Sequence, residues 1–272
     1  MPGKNLKVLD GVPLITRAIQ QAHEIERIDR VIVSTDSGDI AEVARVAGAE
    51  VPFMRPPDLA RDDSPEWGVW RHAVKYIKEV EGRDLGLLMV VPPTAPLRFI
   101  EDLEACLDEY EQGQADIVIT VTDAHRSPYF NQVEITDEGQ AHLAIRPERS
   151  IIRRQDSPLV FDVTTVAYVV KPEFVMAKDG VFDGVVRTVF VPKERALDID
   201  THLDFRMAEF FLTHRMGARG STVPRGATTI SLRTGPDRMV RIPMNWNYVP
   251  EMIANNTNHM GRSPKTGVFA GL

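Results

Sequence analysis

Short apolar runs alternate with helical patterns along the first three quarters of the chain, and this alternation constrains the fold more than any other feature. Leu87–Val91, directly after Gly86, is an unbroken apolar run typical of a strand buried on both faces of a parallel sheet. Similar runs lie at Val31–Ser34, Ile117–Val121 and Val166–Val170. Helical spacing of apolar residues marks Pro13–Ala22, Ile40–Ala47, Trp67–Val80, Phe99–Tyr110 and Leu203–Leu212. We therefore predict an α/β fold, a three-layer α/β/α sandwich around a mostly parallel, Rossmann-like sheet.

Composition and charge exclude several classes of function. The net charge of −7 disfavours a nucleic-acid partner, because binding a phosphate backbone needs a basic surface. No apolar run approaches the ~20 residues of a membrane-spanning helix, and no signal-peptide pattern precedes the first helix. We therefore expect a cytoplasmic protein with no membrane partner. The single cysteine, Cys106, excludes an intrachain disulfide and lies in a helical apolar pattern, which favours a core position over a reactive thiol.

The pattern changes near Met216. The segment 216–272 has scattered basic residues and an asparagine-rich run, Ala254–Asn258, without a sustained period. We predict a folded domain over residues 1–215 and an irregular tail over 216–272, a disordered or loosely docked extension rather than a second domain.

Polar or proline-rich segments follow several of the predicted strands. They are Thr35–Ser37, Pro92–Pro96 and the segment that holds Asp198 and Asp200. In open α/β sheets, ligands bind beyond the carboxyl ends of the strands. These segments are therefore the candidates for a binding edge.

Asp198 and Asp200 are spaced i, i+2 just before a predicted helix. In an extended segment this spacing puts both carboxylates on one face. Mg²⁺ usually takes one or two protein carboxylates and keeps waters and substrate phosphates as its other ligands. The alternative is that Asp200 or Thr201 only caps the helix that begins near His202.

A series of motifs in fixed order narrows these alternatives. They are Pro2–Leu6, Val31–Asp36, Ile40–Ala44, Gly48–Phe53, Arg55–Ala60, Pro93–Arg98 and Asp198–Asp200, with Ser127–Tyr129 and Arg154–Asp156 in addition. Over roughly residues 2–214 this combination resembles the acylneuraminate cytidylyltransferase family, the CMP-sugar synthetases that activate sialic acid and related nonulosonates.

The resemblance implies an activity, a cofactor and an assembly. The fold would be of the nucleotide-diphospho-sugar transferase type, with an arm at about 123–163 that forms a homodimer. The reaction would be Mg²⁺-dependent transfer of CMP from CTP to the anomeric hydroxyl of a sugar acid, with release of pyrophosphate. Such enzymes serve cell-surface polysaccharide biosynthesis.

The resemblance also implies roles for individual residues. The nucleotide-binding residues would be Lys4, Asn5, Arg55, Ser64 and Thr94. The sugar acid would contact Arg154, Gln155 and Tyr168, the metal ligands would be Asp198 and Asp200, and the catalytic residues would be Arg154 and Asp200. Outside the family context, Arg55, Ser64 and Arg154 could be solvated loop residues, and Tyr168 could belong to the core.

The sequence departs from the family pattern at three places. The family opens with a central strand and an Arg-x-Gly-Ser-Lys loop that cradles the triphosphate, whereas this chain starts at Met1-Pro2-Gly3. An N-terminally truncated sequence is one explanation, and a degenerate, non-catalytic nucleotide-binding or dimerising homologue is the alternative.

Pro92 stands where the family often has a glutamine that reads cytosine, and Asp162 stands where sialate-specific members have an arginine. An aspartate there would repel a sugar carboxylate, so we expect a substrate other than N-acetylneuraminate; a nucleotidyltransferase for another sugar is a further alternative.

Overall fold

The described part of the molecule comprises two compact units. The computed structural model describes residues 1, 3–61, 63–215, 228–233, 239–244 and 267–270. Met1–Thr213 and Pro264–Leu272 form one unit, and His214–Ser263 form the other.

The first unit begins with a 3₁₀ turn, Lys4–Leu6, and then alternates strands with helices. The elements up to the middle of the chain are β1 (Val8–Leu9), β2 (Val12–Pro13), α1 (Leu14–His23), β3 (Arg30–Val33), α2 (Gly38–Val46), α3 (Glu66–Lys75) with a π-helical continuation (Tyr76–Val80), β4 (Leu88–Val90), α4 (Ile100–Glu111) and β5 (Ile117–Asp123). A short antiparallel hairpin and the remaining elements follow: β6 (Val133–Ile135), β7 (Ala141–Leu143), β8 (Phe161–Val170), α5 (Pro172–Ala177), β9 (Val186–Phe190) and α6 (His202–Arg215).

Three further strands lie in the last quarter of the chain. In the second unit, β10 (Thr228–Arg233) and β11 (Met239–Met244) form an antiparallel pair. The last strand, β12 (Gly267–Ala270), belongs to the first unit.

The first unit is built on a six-stranded sheet with the order β3-β12-β4-β8-β5-β9. β12 runs parallel to β3 and to β4, with Val268 opposite both Val31 and Met89. β8 is antiparallel to β4 and to β5, and β9 is parallel to β5. The carboxyl ends of β3, β4, β5 and β9 therefore share one edge, with β8 as the reversed strand.

Helices cover both faces of this sheet, as the alternation of buried side chains shows. Val31, Val33 and Met89 point into a cluster with residues of α1, α2 and α4. Ile32, Leu88 and Val90 point to the opposite face, into a cluster with residues of α3 and α5. Because side chains of a strand alternate between faces, both faces of β3 and β4 are buried. The predicted α/β/α sandwich is confirmed.

The tail differs from its prediction in the segments that the structure describes. Residues 228–233, 239–244 and 267–270 are strands rather than irregular backbone. The physical reason is that four residues such as Gly267–Ala270 are too short to show a period, and they become a strand through pairing with β3 and β4. The prediction for the other residues of the tail lies outside the described residues.

Two sequence expectations can be compared directly with the structure. Cys106 is fully buried in the core, as predicted. Within the described ranges, no helix is long and apolar enough to cross a membrane.

Candidate active site

The acidic segment, Asp198–Asp200, lies against the proline-rich loop, Pro92–Pro96, at the carboxyl edge of the sheet. Thr94 follows β4 and is 1% exposed, and its carbonyl oxygen accepts a 2.8 Å hydrogen bond from the N–H of Ile199. Ile199 itself is fully buried. Because Asp198 and Asp200 flank Ile199, this bond holds the backbone of both residues beside the loop, at the carboxyl edge of the sheet where ligands are expected.

Of the two residues that the sequence offered as the cap of α6, Thr201 makes the cap and the side chain of Asp200 does not. The Thr201 hydroxyl accepts a hydrogen bond from the Asp204 N–H (3.3 Å), and the Asp204 carboxylate accepts one from the Thr201 N–H (2.7 Å). This reciprocal pair is a capping box at the start of α6. Asp200 contributes only its backbone N–H, which donates to Asp204 Oδ2 at 3.2 Å. The side chains of Asp198 and Asp200 are therefore not needed to cap the helix.

The two carboxylates differ in their surroundings. Asp200 is exposed, and its Oδ1 accepts a 2.9 Å hydrogen bond from the Lys4 ammonium group, 196 residues away in sequence. Asp198 Oδ1 is buried and has no hydrogen-bond partner among the described residues. A buried acceptor without a partner is costly, and a cation would satisfy it. Mg²⁺ usually takes one or two protein carboxylates and draws its other ligands from water and phosphate, so Asp198 and Asp200 are a donor set that fits this ion.

Arg98 holds the proline-rich loop to the sheet. Its side chain is 2% exposed and donates hydrogen bonds to the carbonyl oxygens of Val166 (2.6 Å) and Pro92. Burial lowers the pKa of Arg98 to about 9, and the nearby carboxylates of Asp102 and Asp198 oppose this shift. The backbone of Pro92 is thus fixed although its side chain offers no hydrogen bond.

Arg55 follows α2 in the chain, and its backbone lies against Thr35, just after the end of β3. Its side chain is 7% exposed, so the alternative that it is a solvated loop residue is wrong. Its guanidinium donates to the hydroxyl of Ser34 (3.2 Å) and to the Ser34 carbonyl oxygen, and its backbone N–H donates to the carbonyl oxygen of Thr35 (2.8 Å). Burial lowers the pKa of Arg55, while the charges of Asp36 and Glu66 raise it. A buried guanidinium held in this way is a rigid donor at the sheet edge.

Two further predicted nucleotide-binding residues have contrasting surroundings. Asn5 Oδ1 is buried without a hydrogen-bond partner in the part of the chain that the structure describes. Ser64 instead closes its own loop: its hydroxyl donates to the Asp58 carbonyl oxygen (2.8 Å) and accepts from the Arg61 N–H (3.2 Å). Asn5 therefore has a free acceptor for a ligand, whereas the Ser64 hydroxyl is already engaged.

Tyr168 pairs with Val90, the last residue of β4, and its side chain contacts that of Trp70 in α3. The Tyr168 ring lies 5.1 Å from the ring of Trp70, measured between centroids, and the side chain is 7% exposed. Burial raises the pKa of Tyr168, and the charges of Glu66 and Asp198 raise it further. Burial likewise raises the pKa of Glu66, with Trp70 and Arg55 lowering it and Asp198 raising it. No sequence pattern pointed to Glu66, because acidic residues are common in the first turn of a helix, where the helix dipole favours them.

Arg154 and Gln155 line a separate cavity of about 500 Å³. Arg154 Nη2 donates to the carbonyl oxygen of Ala124 (2.9 Å), directly after β5. Arg126 and Lys193 add two cationic side chains to the lining, and Asp123 adds one carboxylate. Asp162 lies opposite Thr122 in the β5–β8 pairing and accepts a hydrogen bond from the His125 N–H (3.2 Å).

The chain is similar to a cytidylyltransferase family model and to two Campylobacter proteins over most of its length. The family model described as "Cytidylyltransferase" matches residues 1–183. The flagellin modification protein B of Campylobacter coli is 29% identical over 78% of this chain and 89% of its own length. The CMP-N,N'-diacetyllegionaminic acid synthase of Campylobacter jejuni is 30% identical over 77% of this chain and 88% of its own length.

Solved structures share the fold at low sequence identity. A CMP:2-keto-3-deoxy-manno-octonic acid synthetase complexed with CTP superposes with a TM-score of 0.57 at 13% identity, covering 79% of this chain and 93% of the other. The 4-diphosphocytidyl-2C-methyl-D-erythritol synthase of Anaerococcus prevotii gives a TM-score of 0.54 at 12% identity, covering 78% of this chain and 94% of the other.

A second family model, described as "PDZ domain", matches residues 185–254. The first part of that range is β9, which pairs with β5 in the six-stranded sheet. The match to residues 1–183, by contrast, covers more than half of the chain and contains the proline-rich loop, Arg55 and the Arg154 cavity. The chain belongs to the cytidylyltransferase family, and it is a nucleotidyltransferase enzyme of that family.

Proposed function

We propose that this enzyme transfers CMP from CTP to the anomeric hydroxyl of a nonulosonate-type sugar acid in a Mg²⁺-dependent reaction. The observation that carries the proposal is the acidic pair at the sheet edge, where Asp198 has a buried, unpartnered oxygen within the described structure and Asp200 lies 2.9 Å from Lys4. The named activity of the Campylobacter jejuni relative supports the choice of a nonulosonate as substrate class.

The reaction forms one bond at the α-phosphorus and breaks another. The anomeric oxygen attacks the α-phosphorus of CTP and loses its proton, and pyrophosphate leaves with the electron pair of the broken P–O bond. Such transfers depend on positioning and on neutralising the charge of the phosphoryl oxygens. Mg²⁺ held by Asp198 and Asp200 would supply that neutralisation.

The protein's own side chains would position the nucleotide. Arg55 is a rigid, buried donor at one end of the edge, and Asn5 offers an amide oxygen without a protein partner in the described residues. Lys4 places an ammonium group next to the acidic pair, where a phosphate oxygen can accept from it. The Thr94 backbone keeps the acidic pair in place.

The cavity at Arg154 suits an acidic sugar. Arg126, Arg154 and Lys193 outnumber Asp123 among the charged groups of its lining, and a guanidinium can bind a carboxylate through two parallel hydrogen bonds. Gln155 and Ser127 in the same lining can bind sugar hydroxyls. The carboxylate of Asp162 would repel the carboxylate of N-acetylneuraminate, so we propose a different sugar acid as the substrate.

We further propose that the enzyme is a cytoplasmic homodimer whose partner contact involves the arm at 123–163. Exposed apolar side chains are frequent there, and they include Val133, Ile135, Ile152 and Leu159. Exposed apolar surface that is contiguous marks protein interfaces, and these side chains would contribute to such a surface in the arm.

The substitution Asp200→Asn tests the metal assignment. It removes one of the two anionic metal ligands, so we expect Mg²⁺-dependent pyrophosphate release to fall roughly 100-fold or more while the fold is retained. Asp39→Asn, at an exposed position in the first turn of α2, is the matched control and should keep full activity. Full Mg²⁺-dependent turnover by Asp200→Asn would refute the assignment.

A further inference from the structure

A partly buried ion pair joins the start of α4 to the chain just before the acidic segment. Arg195 donates to both carboxylate oxygens of Asp102, from Nε at 2.9 Å and from Nη2 at 2.8 Å. The Asp102 side chain is only 4% exposed. Two parallel hydrogen bonds of this kind fix the orientation of both groups as well as their distance. The chemistry described above gives this pair no role.

The pair is anchored on the first turn of α4, which follows the proline-rich loop in the chain. Asp102 Oδ2 also accepts a 2.8 Å hydrogen bond from the N–H of Phe99, the N-cap residue of α4. The Arg195 guanidinium lies over the Phe99 ring, with its Cζ atom 4.8 Å from the ring centroid. Such a contact between a cation and an aromatic face is attractive. Arg195 is therefore held to the start of α4 by hydrogen bonds and by ring contact together.

Arg195 is also connected closely to Asp198 through the backbone. The Arg195 N–H donates to the carbonyl oxygen of Pro192 (2.9 Å) and closes a turn after β9. Asp198 follows three residues later, and the next residue, Ile199, donates its N–H to the carbonyl oxygen of Thr94 (2.8 Å). Asp198 thus lies between two points of attachment, one on the start of α4 and one on the proline-rich loop.

Asp198 needs such support because its position is costly. Its Oδ1 atom is buried without a hydrogen-bond partner among the described residues, and water would satisfy that atom if the segment moved outward. An unfavourable arrangement persists only where surrounding interactions hold it in place. The ion pair of Asp102 and Arg195 is an interaction of this kind, three residues away.

We propose that Asp102 and Arg195 are a positioning pair that holds Asp198 in the orientation needed to bind the metal ion. The inference rests on the proposed function, since it takes Asp198 and Asp200 as the metal ligands. The pair acts through the backbone of residues 195–199 and makes no bond to the ion. Groups that orient metal ligands in this indirect way influence metal affinity strongly.

The test measures metal binding and stability separately on the full chain. Mn²⁺ serves as the probe for Mg²⁺, because it accepts the same oxygen ligands and its free concentration can be measured by electron paramagnetic resonance. Urea denaturation of each variant gives the free energy of unfolding.

Two variants perturb the pair without leaving a buried charge unpaired. Arg195→Lys keeps the positive charge beside Asp102 but loses the two parallel donors. The double variant Asp102→Asn/Arg195→Met removes both charges and keeps an acceptor for the Phe99 N–H. We expect the Mn²⁺ dissociation constant to rise roughly 3-fold for Arg195→Lys and roughly 10-fold for the double variant.

Arg187→Met is the matched control. Arg187 in β9 donates a 2.7 Å hydrogen bond to Glu109 near the other end of α4, so its loss also removes an arginine–carboxylate pair from this helix. We expect it to leave Mn²⁺ binding at the wild-type level. A lowered free energy of unfolding with wild-type Mn²⁺ binding in both variants of the pair would show a merely structural role and overturn the inference. If the double variant does not fold, wild-type Mn²⁺ binding by Arg195→Lys overturns it alone.

The result is separable from the outcome for the proposed function. Weakened Mn²⁺ binding in the variants, together with no pyrophosphate release by the wild type, would refute the proposed function and leave the positioning pair supported. A wild-type chain that does not bind Mn²⁺ would overturn the metal assignment and the inference together.

Discussion

Thr201 and Asp204 cap α6, and this separates the stability of the helix from the chemistry of Asp198 and Asp200. An N-cap substitution costs about 1 kcal/mol of unfolding free energy, so Thr201→Ala and Asp204→Ala should each lower it by about that amount in urea denaturation. Asp200→Asn loses only an exposed ion pair with Lys4 and should change it by less than about 0.5 kcal/mol. A loss for Asp200→Asn as large as that for Thr201→Ala would show that the side chain of Asp200 also caps the helix.

The contribution of Asp204 to the free energy of unfolding should also depend on pH. Partial burial raises the pKa of Asp204, but the hydrogen bonds from Thr201 and from the Asp200 N–H outweigh it and leave the pKa below its usual value. A lowered pKa in the folded state means that the stabilisation is fully present above the unfolded pKa of about 3.9. It is lost as the pH falls through the lowered folded value, and the difference between wild type and Asp204→Ala should shrink over that range.

Single residues were predictable where a motif fixed their place, and not where burial decided their role. The order of motifs led to Arg55, Asp198 and Asp200, and the structure puts all three at one sheet edge. Arg98 belongs to the Pro93–Arg98 motif, but from the sequence alone an arginine is expected at the surface. Its burial against two carbonyl oxygens depends on β8, which is distant in sequence.

At the scale of elements, apolar periodicity predicted the helices and the main strands but not their directions. The runs at Leu87–Val91 and Val166–Val170 look alike in sequence, yet β4 and β8 are antiparallel. Periodicity depends only on which faces are buried, so it carries no information on strand direction. β9 was missed because its middle residues Arg187 and Thr188 are exposed and break the apolar run.

β12 makes the central part of the sheet depend on residues close to the end of the chain. It separates β3 from β4 and pairs with both, so the backbone N–H groups of Gly267–Phe269 lie between two neighbouring strands. Val268→Pro removes one of these donors and leaves a carbonyl oxygen unpaired. We expect it to lower the free energy of unfolding by about 1–3 kcal/mol, measured by chemical denaturation.

The control for this substitution is Val133→Pro in the two-stranded β6–β7 hairpin, which lies outside the main sheet. It should cost less, because proline is tolerated in exposed edge strands. Equal and small effects at both positions would show that β12 does not contribute to the stability of the sheet.

At the scale of the whole molecule, the exposed apolar side chains of the arm predict self-association. Ile135 is 72% exposed and Ile152 is 84% exposed. Glutamate at both positions introduces two charges into the proposed contact, so the double variant Ile135→Glu/Ile152→Glu should be monomeric in light scattering at concentrations where the wild type is a dimer. Val46→Glu, at an equally exposed valine outside the arm, should leave the dimer intact. A wild-type monomer, or a double variant that still dimerises, would contradict the prediction.

The fold class and the family could be predicted from sequence because both depend on patterns that recur along the chain. The identity of the sugar acid could not be predicted, because in our proposal its recognition depends on Arg126, Arg154 and Lys193, which line one cavity from three different segments of the chain. The positive side chains of this cavity favour an acidic ligand. Which acid fits depends on where the cavity places the groups that bind its hydroxyls.

The central claim is the transfer of CMP to a nonulosonate, and product analysis tests it most directly. The full chain, CTP and Mg²⁺ are incubated separately with N,N'-diacetyllegionaminate, pseudaminate and N-acetylneuraminate, and pyrophosphate and CMP-sugar are measured by enzymatic coupling and mass spectrometry. We predict equimolar pyrophosphate and CMP-sugar with an acid other than N-acetylneuraminate. Binding of CTP without product from any of these acids would contradict the claim and favour a non-catalytic, nucleotide-binding homologue.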